Sequence, residues 1–251
     1  MAVILISVTG RATLSRLAGE WWIHQLADGH RYATDDVLVA WEGVRARPDA
    51  RTVLDLGAGV GSVGLMALNR LPAARLVAVE VQAVSVELLR RTVAHNRLDG
   101  RVEVRHGDLR DPGVLPPDER YDLILANPPY LPLRSGWPPR HPQKAAARFE
   151  LNGDVFDYCT VAAARLAPGG RFCFCHAARD PRPGRAVAAS GLALLSRREV
   201  IFREGRPPHL ALFLCAREGQ RADLPPLTVR TASGRRTPEY LAVLREMEIV
   251  A

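Results

Sequence analysis

Residues 52–61 read TVLDLGAGVG, a short and mostly apolar run that leads directly into three glycines at alternating positions. Such a run is typical of a buried strand in a parallel sheet. Alternating glycines let the backbone turn tightly and approach a ligand closely. Ser62 follows where a helix N-cap is expected. This stretch therefore predicts a strand, a close-approach loop and a helix, which is the opening unit of an α/β fold.

The alternation of strands and helices continues towards the C-terminus. Further strands are predicted, with helical patterns between most of them, at residues 75–80, 101–106, 121–126 and 171–175. Two more strands, 194–202 and 210–216, are separated by a link that is too short for a crossover helix, so that pair must be antiparallel. The predicted fold class is α/β, with a doubly wound, Rossmann-like seven-stranded sheet whose final strand is antiparallel.

The N-terminal part of the chain has a different pattern. Residues 14–33 predict a small β-hairpin, with a tight turn at Asp28-Gly29 and a returning strand over residues 30–32. Thr34 or Asp35 is the expected cap of the helix that follows. The opening residues 1–6 are apolar, but they lack the basic and cleavage regions of a signal peptide. No apolar run reaches the length of a membrane span, so we expect a cytoplasmic protein.

The composition favours an anionic partner. The 251 residues include 34 Lys and Arg against 27 Asp and Glu, a formal net charge of +7. Lys144 is the only lysine, and the many arginines suit phosphate forks and base stacking. The four cysteines form no CxxC pair and the seven histidines have no ligand spacing, so we predict free thiols and no metal site.

Three acidic residues stand at the predicted carboxyl ends of neighbouring strands, which is the edge where α/β sheets bind ligands. Asp55 can face a cationic ligand. Glu80 ends the second strand, where a carboxylate can bind two ribose hydroxyls. Asp108 follows the third strand and can accept a hydrogen bond from an adenine amino group. The three positions together predict a nucleoside site above Gly57 and Gly59.

The fourth strand ends in Asn127-Pro128-Pro129-Tyr130. The Asn127 side chain and the Pro128 carbonyl are two acceptors, and the prolines stiffen the turn that presents them. The Tyr130 ring offers a flat face for stacking. Two acceptors beside an aromatic face suit a planar amino group, such as an adenine amine or a carboxamide.

The cofactor prediction depends on both motifs. Gly59, Gly61 and Gly64 match a literal GxGxxG pattern, which by itself is weak support for NAD. The turn, however, begins at Gly57, directly after the strand, and from there the third position is Ser62. A ligand with a ribose and no pyrophosphate fits that register better. With the Asn-Pro-Pro-Tyr loop, the pattern favours S-adenosylmethionine.

At this point the chain resembles the class I S-adenosylmethionine-dependent methyltransferases with an Asn-Pro-Pro-Tyr motif. It is most similar to the tRNA adenine-N6 methyltransferases that act on a valine tRNA. Besides the central motifs, residues 13–40, 147–150 and 225–240 are similar to segments of that family. The Pro-rich residues 131–143 depart from its pattern. The resemblance implies an N-terminal hairpin extension, residues 1–33, and a class I methyltransferase domain, residues 34–251.

The resemblance also implies roles for individual residues. Asn127, Pro128 and Tyr130 would act on the target. The cofactor would contact Tyr32, Asp35, Asp55, Gly57, Gly59, Glu80, Asp108 and Asn127. The substrate that the resemblance implies is tRNA, and its target base would contact Tyr130. Basic residues are also expected on the face around Asn127, and the leading candidates for phosphate contacts are Arg134, Arg140 and Arg148.

Several alternatives stay open at this stage. A release-factor glutamine methyltransferase or an rRNA adenine-N6 methyltransferase would use the same loop. A DNA adenine methyltransferase would need a separate target-reading domain. A non-enzymatic RNA-binding module would keep the fold without the chemistry. The oligomeric state is not predicted by these features.

Overall fold

The computed structural model describes residues 10–250. The opening residues 1–6, which are not expected to form a signal peptide, lie outside the described residues. Within residues 10–250, no helix has both the length and the apolar character that crossing a membrane requires.

A nine-stranded sheet forms the centre of the molecule. The strand bounds are β3 Thr52–Leu56, β4 Arg75–Glu80, β5 Val102–His106, β6 Tyr121–Ala126, β7 Leu166–Ala177, β8 Ala193–Ile201, β9 Leu210–Ala216, β10 Ala222–Asp223 and β11 Leu227–Thr228. These strands lie in the order β5-β4-β3-β6-β7-β9-β8-β10, and β11 also pairs with β8.

The direction of the strands confirms the predicted fold class. Strand β9 is antiparallel to both β7 and β8, and the other pairings in this sheet are parallel. The two-residue strands β10 and β11 extend the predicted seven strands. The order reverses between β3 and β6, which are neighbours in the sheet although β4 and β5 intervene in sequence. A crevice at such a reversal is where open α/β sheets bind ligands.

Helices cover both faces of the sheet. Their bounds are α1 Thr34–Ala46, α2 Ser62–Arg70, α3 Ala83–His95, α4 Pro142–Arg148, α5 Val155–Arg165, α6 Arg182–Ala189 and α7 Pro238–Glu246, with a 3₁₀ turn at Leu133–Ser135. Adjacent strand residues point to opposite faces. Accordingly, Val53 and Leu123 join one apolar cluster, whereas Leu54 and Ile124 join the other. The four cysteines are buried free thiols, as predicted.

The N-terminal hairpin exists, but its predicted turn is wrong. Strands β1 Ala12–Arg16 and β2 Trp22–Leu26 pair antiparallel, so the turn spans residues 17–21 rather than Asp28-Gly29. Gly19 has a φ of 52°, which glycine adopts at little cost, and Leu17 N donates to Trp21 O at 2.9 Å. The hairpin packs into the same apolar cluster as α1 and α2.

Two predicted helix caps are also wrong. Helix α1 begins at Thr34, and its N-terminus is held by Asp36, whose Oδ2 accepts a hydrogen bond from Ala33 N at 2.8 Å. Helix α2 begins at Ser62 after Gly61, and no side chain caps it. In both cases the predicted capping residue lies inside the helix instead of before it.

Candidate active site at the carboxyl ends of the strands

A cavity of about 990 Å³ opens at the carboxyl ends of β3, β4, β5 and β6. The structure brings most of the predicted site residues together around it: Tyr32, Asp35, Asp55, Gly57, Gly59, Glu80, Asp108, Asn127, Tyr130 and Arg148 line its wall. Pro128 is buried, and its neighbour Pro129 lines the cavity instead. Arg134 and Arg140 lie outside the cavity wall, on the Pro-rich segment that follows the loop.

Glu80 fixes the glycine loop through the backbone. Its Oε2 accepts from Gly59 N at 2.8 Å, and its Oε1 accepts from Gln82 N at 2.7 Å. Gly57 and Gly59 have φ values of 67° and 57°. A β-carbon on Gly57 would stand 2.3 Å from the Tyr158 hydroxyl, whereas one on Gly59 would meet nothing within 4 Å. The loop therefore has a packed side and an open side, and a ligand has room on the open side.

Asp55 binds the start of helix α2. Its Oδ2 accepts from Gly64 N at 2.8 Å, and a β-carbon on Gly64 would approach that oxygen to 2.8 Å. The third glycine of the literal GxGxxG pattern thus makes room for a carboxylate of the protein. Burial raises the pKa of Asp55 to about 7, and the nearby Glu80 adds to the increase. A buried acid with this pKa would be stabilised in its ionised form by a cationic ligand.

Asp108 is already engaged by a neighbouring arginine. Its carboxylate accepts from Arg110 Nε at 2.9 Å, from Arg110 Nη2 at 2.6 Å and from Arg110 N at 2.9 Å. The hydrogen bond with this guanidinium is the principal factor that lowers the pKa of Asp108. An adenine amino group at this position would share the carboxylate with Arg110.

Asn127 sits in a network that orients its amide. Its Nδ2 donates to Asp35 Oδ2 at 3.1 Å and to Asp36 Oδ1 at 3.0 Å. On the opposite side, its Oδ1 accepts from Cys175 Sγ at 3.0 Å. Carboxylates accept hydrogen bonds, so they require the amino group of the amide to face them. The carbonyl oxygen of Asn127 is thereby fixed on the other side, where the Cys175 thiol occupies one of its two lone pairs.

The carboxylates give this part of the cavity an acidic character. Asp36 is buried, and desolvation together with the nearby Asp35 raises the pKa of Asp36 to about 7. Burial also raises the pKa of Glu80, although its backbone hydrogen bonds act in the opposite direction. Four acids, Asp35, Asp36, Asp55 and Glu80, line one cavity. This environment suits a ligand that carries positive charge and hydroxyl groups.

The Tyr130 ring is half-buried, and one side of it packs against a buried histidine. It packs edge-on against the ring of His176, with centroids 5.8 Å apart and planes at 61°. Arg182 donates to the Tyr130 carbonyl at 3.4 Å and binds Glu150 at 2.7 Å. Leu131 N donates to the backbone carbonyl at the end of α4 at 3.0 Å. The loop is therefore anchored to two short helices, α4 and α6, which the sequence pattern did not predict.

Several residues of the site were missed by the sequence reasoning. Asp36 carried a signal, because it adjoins Asp35, but the pattern did not indicate which of the two carboxylates would be buried. Tyr158 and Cys175 lie far along the chain from the motifs beside them. Cys175 was expected only as a buried thiol, and no sequence signal linked Tyr158 to the glycine loop. Within residues 10–250 there is no group of three or more potential metal-ligating side chains.

Comparison with known proteins shows that the chain is similar to methyltransferases. Residues 40–136 match the family model described as "Methyltransferase small domain". A tRNA1(Val) (adenine(37)-N6)-methyltransferase of Porphyromonas gingivalis is 29% identical over 229 residues, covering 87% of this chain and 89% of that protein. A release factor glutamine methyltransferase of Geobacter sulfurreducens is 29% identical over 175 residues, covering 59% of this chain and 60% of that protein.

A solved structure has the same fold. A predicted O-methyltransferase from Agrobacterium tumefaciens superimposes with a TM-score of 0.62 at 20% identity, covering 87% of this chain and 98% of that one. At this identity the likeness concerns the fold alone.

Proposed function

We propose that this chain, an S-adenosylmethionine-dependent methyltransferase, transfers a methyl group to the N6 amine of an adenine in tRNA. The observation that carries the proposal is that the Asn-Pro-Pro-Tyr loop and the acidic glycine loop open into one cavity. The first offers acceptors for a planar amine, and the second suits a cationic nucleoside. The similarity to the tRNA1(Val) methyltransferase over most of both chains supports the choice of an adenine in tRNA.

The residues around the glycine loop fit the cofactor. In this proposal Glu80 would accept hydrogen bonds from ribose hydroxyls, and Asp108 would accept one from an adenine amine. Asp35 and Asp55 would face the positively charged part of the molecule, and Tyr32 would help to cover it. When bound, S-adenosylmethionine supplies an electrophilic methyl group on a positively charged sulfur. The open side of Gly59 leaves room for this ligand beside the loop.

The target amine would be held by the catalytic loop. In this proposal the adenine leaves its stack and lies against Tyr130. Its amine donates to the remaining lone pair of Asn127 Oδ1 and to the Pro128 carbonyl. These acceptors stabilise the positive charge that develops on the nitrogen as the new nitrogen–carbon bond forms. Alignment of the amine supplies much of the remaining rate enhancement. In the same step the methyl carbon–sulfur bond of the cofactor would break and its electron pair would stay on the sulfur. The methylated nitrogen would then release a proton to water.

A glutamine side chain is the second candidate target. A carboxamide presents the same planar amino group, and one relative is a release factor glutamine methyltransferase. The cations beside the loop favour RNA over a protein. Among the described residues, Arg134, Arg140 and Arg148 form no salt bridge with a carboxylate. Unpaired cations at a substrate entrance suit phosphates.

The test is methyl transfer from labelled S-adenosylmethionine to purified total tRNA, rRNA and release factor, followed by nucleoside or peptide analysis. We expect label in N6-methyladenosine from tRNA, and a rate of labelling that is lower by about a hundred-fold or more with an Asn127→Ala protein. Label confined to rRNA or to glutamine would select the corresponding alternative. No label on any of these substrates, with the cofactor still bound, would favour an inactive RNA-binding module. A tRNA substrate would also agree with the predicted cytoplasmic location.

A further inference from the structure

Residues 131–143 form an arm that both leaves and rejoins the cavity wall. Tyr130 and Leu131 line the cavity at one end of the arm, and Lys144 lines it at the other. The arm therefore lies at the cavity entrance, although its middle does not contribute to the wall.

Trp137, in the middle of this arm, is 98% exposed. Tryptophan has the largest aromatic surface of the side chains, and in most folded proteins it is well buried on average. The other three tryptophans of the chain have at least part of the ring covered, and Trp22 is the most exposed of them at 37%. An almost fully exposed indole at the entrance of a cavity is therefore a candidate contact for a ligand that lies outside the cavity.

The arm is stiff for a surface segment. Four of its residues are prolines, each of which fixes its own φ and restricts the residue before it. A 3₁₀ turn at Leu133–Ser135 is closed by Ser135 N, which donates to Pro132 O at 2.8 Å. The backbone loses less entropy on binding when it is already restricted in this way. The backbone that carries Trp137 is therefore restricted before any ligand binds.

The charge on the arm is uncompensated. Arg134 and Arg140 are exposed on either side of Trp137, and Lys144 follows at the cavity wall. Among the described residues, none of these three cations pairs with a carboxylate, whereas Arg110 and Arg182 near the same cavity do. Free cations on both sides of an exposed aromatic ring are the combination that binds single-stranded nucleic acid.

The length of the arm limits what Trp137 can reach. Trp137 is the sixth residue after Leu131, so it lies no more than about 20 Å from the cavity wall. At about 3.4 Å for each stacked nucleotide, this distance corresponds to roughly six nucleotides. The ring is consequently within range of the same RNA loop that would deliver its adenine to Tyr130.

We propose that residues 131–143 are an RNA-binding arm, in which Trp137 stacks on an unpaired base within about six nucleotides of the target adenine. Arg134 and Arg140 contact the phosphates on either side of that base. This inference rests on the proposed function and adds a second base contact that would help select the RNA. A base on the indole and phosphates on the arginines explain both the exposed ring and the unpaired charges.

The first test is equilibrium binding of tRNA to Trp137→Ala and Trp137→Phe proteins. Loss of one stacked base weakens binding by about 5- to 150-fold, and the phenyl ring of Trp137→Phe should restore most of the affinity. The ring is exposed, so neither change should alter the melting temperature. Unchanged tRNA affinity in Trp137→Ala, with tRNA still methylated, would overturn the arm while leaving the proposed function intact.

The second test concerns the cations and has a matched control. Arg134→Ala and Arg140→Ala should each reduce the salt dependence of tRNA binding by about one counterion. Arg75 is an exposed arginine at the amino end of β4, whereas the cavity lies at the carboxyl ends of the strands. Arg75→Ala should therefore leave the salt dependence of tRNA binding unchanged. An equal effect of all three changes would indicate general attraction to a basic protein and would overturn the specific arm. Methylation of release factor alone would overturn the proposed function, and the arm with it.

Discussion

The glycine-loop half of the cavity and the arm beside the catalytic loop are opposite in character. The first is acidic and buried, and its carboxylates accept hydrogen bonds from backbone amides of the loop that they support. The second is basic and exposed, and its cations have no carboxylate partner among the described residues. The carboxylates of the glycine-loop half are bound by other groups of the protein. The cations of the arm are left for a binding partner. Rigid, internally bonded sites suit a small cofactor, and open charged surfaces suit a large polyanion.

Asn127 stands between these two regions, and its replacement should have the largest effect. We expect Asn127→Ala to reduce kcat by about a hundred- to a thousand-fold, because it removes a preorganised acceptor for the developing charge. Cofactor affinity should change little if the side chain mainly serves the target. Single-turnover methylation of tRNA and calorimetry with S-adenosylmethionine measure the two quantities. Full activity in this variant would return the loop to a structural role.

An Asn127→Asp change tests whether the position next to Asp35 and Asp36 tolerates a further negative charge. Asp35 and Asp36 accept from the Asn127 amide at 3.1 and 3.0 Å, so a third carboxylate would replace two hydrogen bonds with repulsion. We expect this variant to lose nearly as much activity as Asn127→Ala at pH 8. Recovery of activity at lower pH, where one carboxyl takes a proton, would support this explanation.

Glu80→Ala should have the next largest effect. The change removes the ribose acceptor and also frees the Gly59 and Gln82 amides. We expect cofactor binding to weaken by about 1.5–3 kcal/mol, the usual range for a hydrogen bond to a charged group. Hydrogen exchange at Gly59 should accelerate in the free protein. If Gly59 exchange stays slow while cofactor binding weakens, Glu80 contacts the ligand but is not needed to hold the loop. Unchanged cofactor affinity in calorimetry would reject its ribose role.

The convergence of the glycine-loop residues on one cavity could be predicted from the sequence for a physical reason. Parallel strands bring their carboxyl ends to one edge, so acids placed there in sequence, such as Asp55 and Glu80, meet in space. The network around Asn127 was not predictable in the same way. Successive residues on a helix point about 100° apart, and only packing determines that Asp36 turns inward and binds the Asn127 amide. Cys175 approaches from β7, so the contact depends on strand order rather than on sequence spacing.

The hairpin turn illustrates a local ambiguity. Asp28-Gly29 has the composition of a tight turn, and Gly19 is one of many glycines that allow a positive φ. Two hydrogen bonds from β2 to the C-terminal end of α3 favour the observed pairing. Trp22 N donates to Oδ1 of Asn96, the residue after α3, and His24 N donates to Thr92 Oγ1, both at 2.9 Å. Such long-range contacts override local turn preference.

Asp36→Asn tests whether orientation of the Asn127 amide matters for catalysis. The new side chain keeps one acceptor for Ala33 N, but it presents an amino group to the Asn127 amide, which should then flip. We expect kcat to fall by about ten-fold, equivalent to about one charge-assisted hydrogen bond. The KM for the cofactor should change little. A change in the KM for S-adenosylmethionine with kcat unaltered would instead indicate that Asp36 serves cofactor binding.

Glu42→Gln is the matched control for this change. Glu42 is another buried carboxylate of α1 with a raised pKa, and it pairs with Arg198 at 3.3 Å without lining the cavity. Its replacement should leave kcat unchanged. Equal losses in both variants would mean that any buried charge on α1 affects activity through stability.

The smallest effect that we predict is the pH dependence of Asp55. Its pKa is about 7 in the folded protein and near 3.8 in the unfolded chain. Between these values the unfolded state has released the proton while the folded state retains it. The free energy of unfolding contributed by Asp55 therefore falls as pH rises from about 4 to 7, and it levels off above 7.

Asp55→Asn removes this contribution but keeps an acceptor for Gly64 N. The stability of the variant relative to the parent should therefore increase by about 1 kcal/mol between pH 6 and pH 7, below the limit of about 1.4 kcal/mol per pH unit. Urea unfolding at several pH values measures the difference. Comparing the two proteins cancels His176, whose lowered pKa of about 4 gives the opposite slope. A difference that is flat with pH would show that Asp55 is ionised in the free protein. The acidic half of the cavity would then be prepared for a cation before any ligand binds.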